Sequence, residues 1–404
     1  MKKSILFSLI LITTFACQQQ PERNWTMFKE DVDFLQKYTD VFVLSSMDSL
    51  AQVAVVPSLQ GRVMTSTAKG PEGLSYGWIN RELIASGENN KHINAFGGED
   101  RFWMGPEGGQ FSIFFNSGDP FDLEHWYTPE PINEGGYKVV DQSADFVHFN
   151  TKMNFVNYSQ TSFDVELNRR IQLLDDKSLN AKTGMIFDPA LSLVAFESEN
   201  IITNIGQQPW EKESGLLSIW ILGMYNPSPT TTIVIPFVPG MLEELGPKVN
   251  DEYFGKVPSD RLIVKEDILF FKGDGRYRSK IGLSPYRATN ILAAYDESQQ
   301  ALTLVTYNKP DDMFDYVNSM WEIQDQPYAG DVINSYNDGP PEPGADPLGP
   351  FWELETSSPA AALLPGESLQ HIHTTIHVQG DEVLLDKVVQ TLLDVTLEEI
   401  KTAF

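Results

Sequence analysis

Short apolar or alternating runs, each cut off by Gly, Pro, Asn or Asp, recur along almost the whole chain. They read AQVAVV (51–56), FSIFF (111–115), DFVHFN (145–150), SFDVELNRRIQLL (162–174) and LSLVAF (191–196). LLSIWIL (216–222), TTIVIPFV (231–238), RLIVKEDILFF (261–271), ALTLVTY (301–307) and HIHTTIHV (371–378) continue the series. Side chains on a strand point alternately to its two faces, so runs of this kind bounded by turn formers predict antiparallel sheets. No regular strand–helix alternation accompanies them, which excludes a doubly wound parallel sheet. The chain has 404 residues, without an internal repeat or a linker, so one large β domain over 27–404 accounts for it better than two. Helical spacing is confined to the ends. Phe28, Val32 and Leu35 predict a helix within 27–39, and Leu384, Val388 and Leu392 predict another within 381–393. Thr396 and Glu399 have the spacing of a capping box for a last short helix.

Composition narrows the partners. Apolar residues make up 41% of the chain, enough to offset chain entropy and exclude disorder. Lys and Arg number 29 against 56 Asp and Glu, a net charge of −27. Nucleic acid is excluded as a partner, because phosphates need a basic face, and anionic lipid surfaces are disfavoured. The one cysteine, Cys17, removes disulfides, thiol catalysis and cysteine-held metals from the body of the chain. It follows Lys2, Lys3 and the apolar run Ile5–Ile12, which is too short to span a bilayer permanently. Residues 1–16 therefore read as a secretory signal. A cysteine directly after Ala16 resembles a bacterial lipoprotein signal, with Cys17 as the lipidated residue and 17–26 as a tether. That resemblance implies a lipid anchor in the bacterial cell envelope, and Gln18 points to the outer membrane.

Three segments could carry chemistry. NAFGGEDRFWMGPEGGQ (94–110) packs Glu99, Asp100, Arg101, Trp103 and Glu107 between two Gly-Gly pairs. The acidic balance rules out a phosphate cradle. Carboxylates beside an Arg and a Trp suit a sugar, whose hydroxyls bond to charged groups and whose C–H face packs on a ring. A plain structural turn with an internal ion pair is the alternative. Alternation puts Glu99, Arg101 and Trp103 on one side of the backbone. His92, just upstream, is a further acid–base candidate. In the second segment, 349–367, Glu353 and Glu355 share a strand face beside Trp352; the alternative is a solvent-facing strand. In the third, His371, His373 and His377 face one way. No carboxylate in that strand completes a metal set, so a solvated or cross-strand-paired row is expected there. Trp103, Trp126 and Trp352 are the candidates for ring stacking. The turn-rich stretch 329–350 should form a rim of any cleft, and its Asp331, Asp338 and Asp346 are oxygen ligands that calcium could use. No other metal or cofactor is expected.

Glu355-Thr356, Pro359-Ala360, Leu364-Pro365-Gly366-Glu367 and His373-Thr374-Thr375 resemble the end of galactose mutarotase (aldose 1-epimerase) proteins. Val55-Val56-Pro57 with Gly61-Arg62 is similar to that family's first strands. Phe196–Asn200 with Thr203-Asn204 resembles its central segment, although Ile205 stands where the family has its general-acid histidine. FGGEDRFW (96–103) and GPEGG (105–109) are closer still to a group of bacterial lipoproteins. The resemblance implies a supersandwich of stacked antiparallel sheets with a few peripheral helices and a sugar cleft on a concave sheet. It puts the general base at Glu355; with no histidine after Asn204, the acidic Gly-Gly segment is the best source of the second group, through Glu99 or Glu107. Arg62, His92, Asp100, Arg101, Trp103, Asn204, Trp352 and Glu353 are the implied sugar contacts. Three readings stay open: proton-transfer chemistry on a sugar (epimerase, lyase or hydrolase), carbohydrate binding without catalysis, and a structural envelope lipoprotein. Replacing Cys17 by Ser should release the protein into the soluble envelope fraction; a variant that stays with the membrane would contradict the anchor.

Overall fold

The structure, a computed structural model, describes residues 25–342 and 344–404. The signal segment and Cys17 lie outside the described residues. Strands Phe42–Ser45, Gln52–Val56 and Arg62–Thr67 form a small sheet. A ten-stranded sheet runs in the order Leu262–Val264, Ile268–Lys272, Thr231–Pro236, Ile291–Asp296, Ala301–Tyr307, Ser368–Gln379, Ser192–Asn204, Ser162–Leu173, Phe146–Val156 and Lys138–Gln142. A five-stranded sheet runs in the order Ser279–Leu283, Ile333–Asn337, Trp352–Ser357, Ser218–Tyr225 and Arg101–Gly105. All pairings within these sheets are antiparallel. The fold is mainly β, with antiparallel sheets and few helices, as the strand pattern requires.

The two larger sheets bury an apolar core between them. Phe102, Met104, Ile219 and Ile221 cluster with Phe149, Leu167, Ile171 and Phe196. Ile281, Leu283, Ile333 and Leu354 cluster with Ile233, Leu269, Phe271 and Leu292. Each such side chain contributes ~1.5–3 kcal/mol when fully buried. The far face of the ten-stranded sheet is covered by helix Glu382–Leu393, through Leu385, Val388, Val389 and Leu393. The apolar stripe is thus turned from the expected one, leaving Leu384 and Leu392 half-buried. Thr396 and Glu399 do form a capping box, and the first helix buries Phe28, Val32 and Leu35.

A polar seam crosses the interior. His371, His373 and His377 are buried, not solvated. The Thr356 hydroxyl bridges His371 Nε2 and His373 Nδ1 at 2.8 Å each. His377 donates from Nε2 to Glu99 at 2.7 Å and accepts from Thr303 at Nδ1.

Two local expectations need correction. FSIFF (111–115) is a turn-rich loop, not a strand. Its consecutive Ile113, Phe114 and Phe115 are all buried, which alternation on a one-sided sheet does not allow. The turn-rich stretch 329–350 contains the strand Ile333–Asn337, whose five residues are all buried.

Burial holds His371 and His373 far below the usual imidazole range, at about 3 and about 4. In the unfolded chain both titrate near 6.5. The unfolded state therefore binds protons that the folded state refuses, and stability falls as pH drops from about 6.5 toward about 4. Changing both to Gln removes this loss. Urea unfolding of protein and variant from about pH 7 to about pH 4.5 should show the gap between them narrowing; a constant gap would contradict the assignment.

Candidate functional site

The outer face of the five-stranded sheet is the floor of a cavity. Register fixes which side chains point there. Arg101 pairs with Leu222, which pairs with Glu355, which pairs with Asn334. One row over, Met224, Glu353, Tyr336 and Lys280 align, and on the other side Trp103 pairs with Trp220. All carry side chains on the face opposite to Phe102, Ile221, Leu354 and Ile281. The cavity holds about 470 Å³ and is walled by Trp103, Trp126, Trp220 and Trp321. The segment after strand Ile333–Asn337 closes another side through Asp338, Gly339, Pro341, Asp346 and Leu348. The expected rim is therefore at the cavity.

The glycine pairs shape the approach. A Cβ at Gly97 would meet the Trp78 carbonyl oxygen at 2.0 Å, and one at Gly108 would meet that of Met320 at 2.2 Å. Backbone is packed on backbone at both places, which aims the Arg101–Gly105 strand and the loop beyond it.

On the same face but outside the cavity lining, Glu355 is locked. Its Oε2 accepts from Trp220 Nε1 and from Lys280 Nζ, both at 2.9 Å. The ammonium also lies 4.6 Å from the Trp220 ring centre. Burial pulls Lys280 down, and Glu355, Glu107 and Glu353 more than reverse this, leaving it above its ordinary range. Glu355 is fully buried and lies outside the cavity lining.

Glu353 is different. It lines the cavity, and its carboxyl makes no hydrogen bond among the described residues. Burial first, and the neighbouring Glu355 second, push it well above the usual carboxylate range. Glu107, also in the lining, is raised chiefly by burial. Asp338 is raised to about 6, again by burial. Carboxyls of this kind can carry a proton near neutrality and exchange it with a bound hydroxyl.

The donors are open as well. Trp103 Nε1, Trp126 Nε1 and all three guanidinium nitrogens of Arg101 are buried without a hydrogen-bond partner among the described residues. Arg101 lies 3.8 Å from the Trp103 ring centre. Burial, then repulsion from Arg62, drives its pKa well below the ordinary arginine value.

Of the candidates read from sequence, Arg101, Trp103, Glu107, Glu353 and His92 meet at this cavity. His92 is tied by Nδ1 to the Trp126 carbonyl at 2.6 Å and stacks on Tyr127. The others lie elsewhere. Glu99 precedes the strand and turns inward to Ser66 and His377, away from Arg101 and Trp103, contrary to simple alternation. Asp100 is ion-paired with Arg169 at 2.5 Å. Arg62 donates to the Gly97 carbonyl and Gln60. Asn204 shapes a turn through Gly206, Gln208 and Leu363. Trp352 points to the other side of its strand, stacks on Tyr225 and borders a second cavity of about 780 Å³.

Asp331 is bonded to Tyr253 and Asn250, and Asp338 to Tyr336 and Gly349. They stand at opposite ends of one strand, roughly 20 Å of extended chain apart, so they do not converge on one ion. Among the described residues no group of three or more His, Cys, Asp or Glu could hold a metal. Trp220, Trp321, Lys280 and Arg278 also line the cavity and were not singled out from sequence. Lys280, a lone cation in SKIGL, was the available signal.

A family model described as a family of unknown function (DUF6786) matches residues 26–404. No curated protein matches the sequence. Among solved structures, a protein from Synechocystis sp. PCC 6803 is similar at a TM-score of 0.49 and 14% identity, over 85% of this chain and 96% of that one. A galactose mutarotase-like protein from Lactobacillus casei ATCC 334 is similar at 0.45 and 10%, over 84% and 100%. A galactose mutarotase related enzyme from Lactobacillus acidophilus is similar at 0.44 and 10%, over 85% and 99%.

Two substitutions should move stability in opposite directions. Lys280→Met strands the buried Glu355 carboxylate and should cost ~3–5 kcal/mol. Arg101→Met removes an unpaired buried cation and should stabilise by about 1 kcal/mol or more. Denaturant unfolding measures both; a destabilised Arg101→Met protein would mean that the guanidinium is satisfied.

Proposed function

The chain belongs to the DUF6786 family, and we propose that this member binds a carbohydrate in the cavity on the five-stranded sheet and performs proton-transfer chemistry on it. One observation carries the reading. Four indoles wall a cavity into which the Glu353 carboxyl, two indole N–H groups and a guanidinium converge, all without hydrogen-bond partners among the described residues. Ring faces pack on the C–H faces of a sugar, and the open donors and acceptors match its hydroxyls. Glu353 is the proton-transferring group in this reading, with Glu107 as its partner. Glu355, beside them on the same face, fixes their surroundings, since its Oε2 is held by Lys280 and Trp220. The similarity of the Glu355-Thr356 segment to aldose epimerases supports the same sheet as the place of chemistry. In this proposal the protein acts at the cell envelope, held by a lipid on Cys17.

Binding without turnover is the second reading. It is favoured by Ile205, which occupies the position after Asn204 and is 39% exposed. Titration of the protein with mono- and oligosaccharides, followed by tryptophan fluorescence and calorimetry, separates the readings. Trp103→Ala should weaken sugar binding by ~1–2 kcal/mol. Glu353→Gln should keep binding and lose turnover by at least ~100-fold. Unchanged turnover would remove Glu353 from the chemistry, and no binding of any sugar would sink the reading.

A further inference from the structure

Among the described residues four arginines have fully buried side chains: Arg62, Arg101, Arg169 and Arg287. The fold gives three of them hydrogen-bond partners, although Arg62 Nε has none among the described residues. Arg62 donates to the Gly97 carbonyl and Gln60, and Arg169 to Asp100, Asn200 and the Gly61 carbonyl. Arg287 donates to the carbonyls of Val238, Gly240 and Gly246. Arg101 is the exception. It is 1% exposed, and Nε, Nη1 and Nη2 are all without a hydrogen-bond partner among the described residues. It belongs to the cavity lining and is steadied there by the Trp103 ring. Leaving a buried cation unpaired is costly, and the cost is tolerated where a ligand supplies the missing partner.

Resting on the carbohydrate reading above, we propose that the sugar is anionic and carries a carboxylate, a hexuronate or a chain ending in one, which Arg101 holds through its guanidinium fork. A planar carboxylate meets that fork with two parallel hydrogen bonds. The charged groups in the rest of the lining are mostly acidic. Lys280 is already matched by Glu355. Glu107, Glu353 and Asp338 add further carboxyls around the space. A phosphate dianion would bring a second charge into this acidic surround, where the other cation of the lining, Arg278, is packed on the Phe254 ring, whereas a carboxylate brings one. The open N–H groups of Trp103 and Trp126 remain for ring hydroxyls.

The test uses matched pairs on the full chain: D-glucuronate against D-glucose, D-galacturonate against D-galactose, and D-glucose 6-phosphate, titrated calorimetrically. At least one uronate should bind roughly 10- to 100-fold tighter than its neutral partner, the range a charge-assisted hydrogen-bonded pair supplies. Added salt should erode the preference. Arg101→Met should abolish it, bringing uronate and neutral sugar to similar affinity, and Arg101→Lys should keep part of it. Where a variant fails to fold, the matched pairs on the unaltered protein decide. Equal or tighter binding of the neutral sugars overturns the acidic-sugar inference and leaves the carbohydrate reading standing. Tighter binding of the phosphate overturns the carboxylate assignment. Failure of every sugar to bind the folded protein overturns both.

Discussion

The five-stranded sheet is buried on both faces, and that constraint organises the molecule. Each of its strands must pack inward against the ten-stranded sheet with one set of side chains and floor the cavity with the other. Leu354 and Glu355, or Phe102 and Arg101, are neighbours in sequence and are assigned to opposite sides by the two-residue repeat. The site is therefore as rigid as the core. A shift of one residue in register would send Arg101, Trp103 and Glu353 into the apolar interior, which no sequence of this composition could tolerate.

Placing charge on such a sheet has a thermodynamic cost, met in different ways at different points. Asp100 with Arg169, Glu355 with Lys280 and Glu99 with His377 are paired within hydrogen-bond reach. Such pairs contribute little net stability over an apolar equivalent, but breaking one is expensive. They fix geometry. The Glu355–Lys280–Trp220 group sets the floor, and the Thr356 bridge between His371 and His373 pins the same strand from behind. Against this background Arg101 and Glu353 stand out: each feels the other's charge, yet neither side chain has a hydrogen-bond partner among the described residues.

Much of the architecture is legible in sequence because alternation and turn residues are local signals. ALTLVTY at 301–307 is the strand Ala301–Tyr307 without adjustment. RLIVKEDILFF divides into Leu262–Val264 and Ile268–Lys272, since the charged KED stretch turns the chain. FSIFF misled because an apolar run does not say whether it pairs or merely fills space; here it builds a wall under Trp126 through Phe114. At the site, the Arg101–Trp103 and Glu353–Glu355 alternations read correctly as shared faces. That Glu355 is covered and Glu353 open to the cavity depends on Lys280 and Trp220, which reach Glu355 from strands distant in sequence. Glu99 turned the other way because the strand begins at Arg101, after the glycine pair has already rotated the backbone.

The groups left open at this cavity await a sugar in the proposed function. The most direct measurement is a crystal of the protein soaked in uronic and neutral saccharides. The account predicts density for a sugar ring against the indoles of Trp103 and Trp126, with an oxygen pair on the Arg101 guanidinium and a hydroxyl on Glu353. An empty cavity under saturating sugar, with Arg101 turned to a partner in the protein, would contradict it.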